Sequence, residues 1–130
     1  MRFIYVTVLS IFMLSCSDAR AQSYRYNTEV TLEGALVYPT AEPEDTSCDI
    51  PHKYPAINLL KPVSVECEAT DTFCKPETRI ILLQLLLKQP QLEKFNRLKG
   101  RTVKVRGILL HAEGGHDFTP LLLDVDSIRP

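Results

Sequence analysis

The chain has 130 residues, 15 basic and 16 acidic side chains, a net charge of −1 at pH 7 and four cysteines. That length fits one domain with a small core. The near-neutral balance gives no electrostatic case for nucleic acid or an anionic membrane as partner.

The first residues read as an export signal. Met1–Arg2 is a short positive start, Phe3–Leu14 is almost wholly apolar, and Ala19-Arg20-Ala21 offers a small-x-small cleavage site before Gln22. The apolar run is too short for an ordinary transmembrane helix. Residues 1–21 are therefore expected to be a signal peptide, and residues 22–130 a mature domain that is periplasmic or secreted. A second route runs through Met13-Leu14-Ser15-Cys16, which looks like a lipoprotein box with Cys16 lipidated and would tie the protein to a membrane. Leu14 is atypical there, so cleavage after Ala21 is the preferred reading. It removes Arg2, Asp18 and Arg20, leaving 13 basic (15 − 2) and 15 acidic (16 − 1) side chains.

Gln22–Asn27 reads as a loose leader. From Thr28 to Tyr38 the chain alternates, with Val30, Leu32, Gly34, Leu36 and Tyr38 on one face and Glu29, Thr31 and Glu33 on the other. That is a half-buried strand, and Gly34 inside it suggests a bulge or sharp coil. Pro39–Pro55 is a proline-rich, acidic loop. Ile57–Cys67 is strand-like, with Pro62 implying an edge or a local break. Thr78–Leu87 is ambiguous: Leu and Gln favour helix, while its short continuous apolarity fits a buried strand. Pro90 opens a short helix with Leu92, Phe95 and Leu98 at helical spacing, stopped by Gly100.

Two further strands end the chain. Val103, Val105, Gly107 and Leu109 share one face, as do Leu121, Leu123 and Val125. Thr102, Lys104, Arg106, Leu122, Asp124 and Asp126 point the other way. A loop centred on Gly115 would set Lys104 opposite Asp126 and Arg106 opposite Asp124. Gly114 and Gly115 are expected to turn that loop through positive φ. Strand, strand, strand, short helix, strand, strand is the order of an OB-fold. The expectation is a mainly β, OB-like five-stranded barrel with one short helix between strands 3 and 4. Its binding loops would be Pro39–Ala56 and His111–Thr119.

In an exported chain, Cys48, Cys67 and Cys74 can form one disulfide. Cys67 and Cys74 flank a short polar loop and are the expected pair, although Cys48 could replace either. No Cys-x-x-Cys pair supports a thiol or metal site.

Residues 100–128, GRTVKVRGILLHAEGGHDFTPLLLDVDSI, resemble the C-terminal signature of a bacterial family called domain of unknown function 4431. In that signature a Gly-(Lys)-x-Val-x-Val-x-Gly strand leads to His-Ala, a Thr-Gly-His-His-His-Thr loop and an apolar strand. His111-Ala112, Gly115-His116 and Thr119 match. Gly114 stands for the Thr, and Asp117-Phe118 for the last two histidines. Val30–Val37 and Leu60-Lys61-Pro62-Val63 are similar to the family's first two strands, with Ser64 where a Cys is usual. The resemblance implies an exported bacterial protein and brings no established activity.

The candidate ligand-binding residues are His111, His116, Asp117, Thr119 and His52, all in the two long loops. The reading is a non-catalytic envelope module that binds a protein or small ligand and needs no cofactor. The alternative is a metal site of imidazole and carboxylate ligands from the same loops, with Asp45, Asp49 and Cys48 nearby. The basic cluster Lys88, Lys94, Arg97, Lys99, Arg101, Lys104 and Arg106 reads as a solvated face, because the strands lack outward aromatics for base stacking. Catalysis has no support from motif: there is no Gly-x-Ser-x-Gly, no His-Glu-x-x-His and no phosphate-binding loop.

Overall fold

A computed structural model describes residues 22–41 and 52–130. The expected signal peptide, Cys16, Asp45, Cys48 and Asp49 lie outside the described residues. Five long strands build a closed barrel: β2 (Glu29–Val37), β5 (Ala56–Val65), β6 (Glu77–Leu86), β7 (Thr102–His111) and β8 (Leu121–Arg129). Short strands β1 (Gln22–Tyr24), β3 (Thr40–Ala41) and β4 (His52–Lys53) and one helix, α1 (Gln89–Leu98), complete the described elements. The order around the barrel is β5-β2-β7-β8-β6, closed by pairing of β6 with β5. β6 and β8 run parallel, and the other barrel pairs are antiparallel. The five-stranded barrel with one helix between its third and fourth strands is the expected architecture.

Alternation decides most of this. Val30, Leu32, Leu36, Val103, Val105 and Leu109 are buried, and Leu36, Val105 and Leu109 have no exposed surface. Gly34 sits where β2 crosses β5. A Cβ there would lie 2.2 Å from the Asn58 carbonyl oxygen, and one on Gly107 would lie 2.3 Å from that of Asp124. Gly34 thus permits a close backbone approach, the reason its strand can coil. Tyr38, expected on the inner face, instead lies beyond the end of β2 and is 43% exposed. Its ring packs near Phe95 (6.1 Å between centroids), with Lys99 Nζ 5.6 Å away.

Thr78–Leu87 resolves as strand. β6 has ladder partners on both sides, Ile57 and Asn58 on β5 and Leu122 to Asp124 on β8, so burial between them overrides its helical propensity. Pro62 marks a break. β5 pairs with β2 only through Leu59, and its register with β6 shifts between Asn58 and Val63. Where β2 departs, β1 adds in parallel, Gln22 opposite Val63 and Tyr24 opposite Val65. The leader is therefore partly strand, a stretch too short to show periodicity.

The β7–β8 register also differs from expectation. Leu110 pairs with Leu122, Ile108 with Asp124 and Gly107 with Val125. A bulge follows, and then Arg106 faces Ser127 and Lys104 faces Arg129. The bulge places Asp126 and Ser127 outward in succession, so Val125 and Ile128 both stay in the core. Gln91 of α1 holds this irregularity. Its Nε2 donates to the carbonyls of Val125 (2.8 Å) and Asp126 (3.1 Å). Arg106 reaches Glu29 on β2, with Asp126 at 3.7 Å, and Lys104 faces Glu33 across β2. α1 adds Phe95 and Leu98 to the core, and Gly100 ends it at φ +84°.

Gly34→Val should destabilise the domain by roughly 3 kcal/mol or more, because the clash is with backbone that cannot rotate away. Gly114→Ala should stay within about 0.5 kcal/mol, since no atom lies within 4 Å of its added Cβ. Urea unfolding of both variants checks the contrast.

Candidate functional site

The loop between β7 and β8 is tied down from one side chain. Gln84, in β6 and 7% exposed, donates through Nε2 to the His116 carbonyl (3.1 Å). Its Oε1 accepts from the Phe118 N–H (2.7 Å). The Gln84 N–H donates to Thr119 Oγ1 (2.8 Å), and that hydroxyl donates to the Leu121 carbonyl (2.6 Å). These buried amide bonds fix the loop because breaking any one strands a polar group away from water. Asp117 closes the tip, its Oδ2 accepting from the N–H groups of Glu113 (2.8 Å) and Gly114 (3.2 Å). Neither Gly114 nor Gly115 takes positive φ, contrary to expectation; the carboxylate makes the turn. The two long loops meet through aromatic rings: Phe118 stacks against Tyr54 (5.0 Å) and near His52 (6.4 Å).

Opposite this loop stands a second wall. The Cys67–Cys74 disulfide closes the turn between β5 and β6, with Cα atoms 5.8 Å apart. On the chain-entropy model, closing so short a loop contributes roughly 2–3 kcal/mol. Asp71 Oδ1 accepts from the N–H groups of Phe73 and Cys74, both at 3.2 Å. Tyr26 Oη donates to the Lys75 carbonyl (2.6 Å). The turn is thus fixed at both ends, yet it holds Phe73 95% exposed.

Between the walls lies an open groove of about 820 Å³. Leu86, Leu110 and Leu122 give it apolar surface, and Ala112, Glu113 and Asp117 come from the β7–β8 loop. Leu122, expected to face solvent with the aspartates, is only 4% exposed. His111 stands at the head of the groove between Tyr26 (ring centroids 5.7 Å) and Glu77 (Nε2 to Oε1 3.1 Å). Its Nδ1 lies 2.8 Å from the Ala112 carbonyl. Both ring nitrogens thus lie within hydrogen-bond distance of an oxygen. Burial, and then the Glu77 charge, push the Tyr26 phenol up to about 12, which keeps it a neutral donor to Lys75.

The proposed ligand residues have different surroundings. His111 and Asp117 line the groove, with Asp117 also holding its own turn. Thr119 is buried in the Gln84 knot. The His116 side chain is exposed, and His52 lies on the Phe118 side. Among the described residues no group of three or more His, Cys, Asp or Glu side chains is placed to hold a metal. Tyr26, Phe73, Gln84 and Glu77 escaped the sequence reading. The one visible signal was the run of leucines at outward positions, Leu86, Leu110 and Leu122, where alternation gives way to continuous apolarity.

Thr119→Val should cost about 1–3 kcal/mol by leaving the Gln84 N–H without its acceptor. His116→Ala should be neutral to within about 0.5 kcal/mol. Thermal unfolding of the pair, with limited proteolysis of the loop, checks which residue builds the wall.

The resemblance seen in the sequence is borne out by a family model. No curated protein and no solved structure gives a significant match. The matched stretch runs from β6 through β8 and so includes Gln84 and the whole anchored loop, while Tyr26 and the disulfide turn precede it. Residues 82–129 match the model of the family described as domain of unknown function (DUF4431), to which this part of the chain is similar.

Proposed function

We propose that this chain is an exported, non-catalytic binding module whose partner engages the groove between the anchored β7–β8 loop and the disulfide turn. The observation that carries the reading is the groove itself. Two braced walls face one another, and the outer one presents Phe73 95% exposed. An aromatic ring in water is unfavourable unless something covers it, and rigid aromatic anchors are the residues that dominate protein interfaces. The bridge between Cys67 and Cys74 supports export, because such bonds persist in oxidising compartments. The apolar stretch ahead of Ala19-Arg20-Ala21 supports the same route.

The partner under this reading is an envelope protein or small ligand, with no nucleic acid involved. The metal reading is not carried forward, because among the described residues no three possible ligands are brought together.

The test is capture from an envelope extract by the oxidised mature protein, compared with Phe73→Ser. Wild type should retain a defined species, and the variant should bind it more weakly by about 2 kcal/mol, roughly thirtyfold in Kd, with unchanged melting temperature. Equal capture by both proteins, or no capture by either, overturns the reading. Fractionation that finds the chain in the cytoplasm with Met1–Ala21 retained contradicts the export half.

A further inference from the structure

We infer that the groove takes a basic, extended protein segment that sets Lys or Arg side chains beside an apolar one. The inference rests on the binding-module reading and adds the chemistry of the partner. The carboxylates around the groove are Glu66, Glu68, Asp71, Glu113 and Asp117, against Arg25 and Lys75 as cations. Arg25 Nη1 is already 2.5 Å from Glu68 Oε1, so that pair is internally neutral. What remains facing an occupant is Glu66, Asp71, Glu113 and Asp117 with Lys75. The chain as a whole carries a net charge of only −1. Those five groove residues, four carboxylates and one ammonium, carry a formal charge of −3, so the groove itself is acidic although the chain is nearly neutral.

These groups line the two walls of a single cleft, so their fields act together on whatever enters it. Asp71 and Asp117 are held in place by backbone N–H donors. That fixes where the charge stands without cancelling it, the arrangement that gives electrostatic specificity at little ordering cost.

The apolar surfaces decide against simpler occupants. A lone small cation would leave Phe73 and the leucine floor in water. An apolar ligand would desolvate the carboxylates without pairing them, which is costly. An anionic ligand is repelled. A chain segment satisfies both kinds of surface at once, its apolar side chain against Phe73 or Leu110 and its cations toward the acidic rims. Such pairing at a solvated rim affects association rate and partner choice more than final affinity.

The test uses three labelled peptides of one pattern, Leu alternating with Lys, with Glu or with Gln, titrated against the oxidised mature protein by fluorescence anisotropy. The Lys peptide should bind, weaken as salt is raised, and exceed the Gln peptide by about tenfold. Glu113→Lys should remove that preference and improve binding of the Glu peptide. Glu93→Lys makes the same change of net charge on an exposed position of α1 outside the groove and should leave the preference intact. Equal loss in both variants, or equal binding of the Lys and Gln peptides, overturns the inference. If Phe73-dependent capture from envelope extract persists while cross-linking places a neutral or acidic segment in the groove, the binding module stands and its basic partner does not.

Discussion

Closing a barrel from only five strands forces neighbouring backbones closer than side chains normally allow, and in this chain glycine makes that possible at two places. At Gly34 the β5 backbone occupies the space a Cβ would fill, and at Gly107 the β8 backbone does. Strands must coil strongly to return on themselves, and strong coiling brings such contacts. Gly107 adjoins the bulge that lets β8 shift parity between Val125 and Ile128. Without these approaches β2 could not meet β5 and β7 together, and β6 would have no β8 to lie beside.

The groove follows from that closure. β6 is the strand that joins the barrel's two halves, pairing with β5 on one side and β8 on the other. Near its C-terminal end Gln84 lies under the β7–β8 loop, and an amide there can serve both a donor and an acceptor of the loop backbone. The first residue of β6, Glu77, comes within hydrogen-bond distance of His111 at the end of β7. One coiled strand thus supplies a fixing point for each wall, and the disulfide and Tyr26 complete the second.

Alternation made β2, β7 and most of β8 legible in the sequence, because each has one face in the core and one in water. The strand order and helix position followed from it. The exact β7–β8 register was not legible. Charge pairing suggested Lys104 opposite Asp126, but it contributes less than keeping Val125 and Ile128 in the core. The bulge that reconciles them depends on Gln91, far off in sequence. Local turn chemistry misled in the same way: a Gly-Gly pair suggested positive φ, and Asp117 bends the loop instead. The site was half legible. Its loop was visible from His111, Asp117 and Thr119. The facing wall was not, because Tyr26, Phe73 and Glu77 reach the groove only through closure of the barrel.

The central claim is that the groove exists in the free protein as two fixed walls. Backbone amide hydrogen exchange of the oxidised mature chain tests it most directly. Gln84 and Phe118 in one wall, and Cys74 in the other, donate to fixed acceptors. The account predicts their amides to be protected, those of Gln84 and Phe118 nearly as well as the barrel core, with Cys74 losing protection on reduction of the disulfide. Exchange of the Phe118 and Cys74 amides at the rate of an unstructured chain would contradict it, since a groove with mobile walls could not hold Phe73 and the carboxylates in place for a partner.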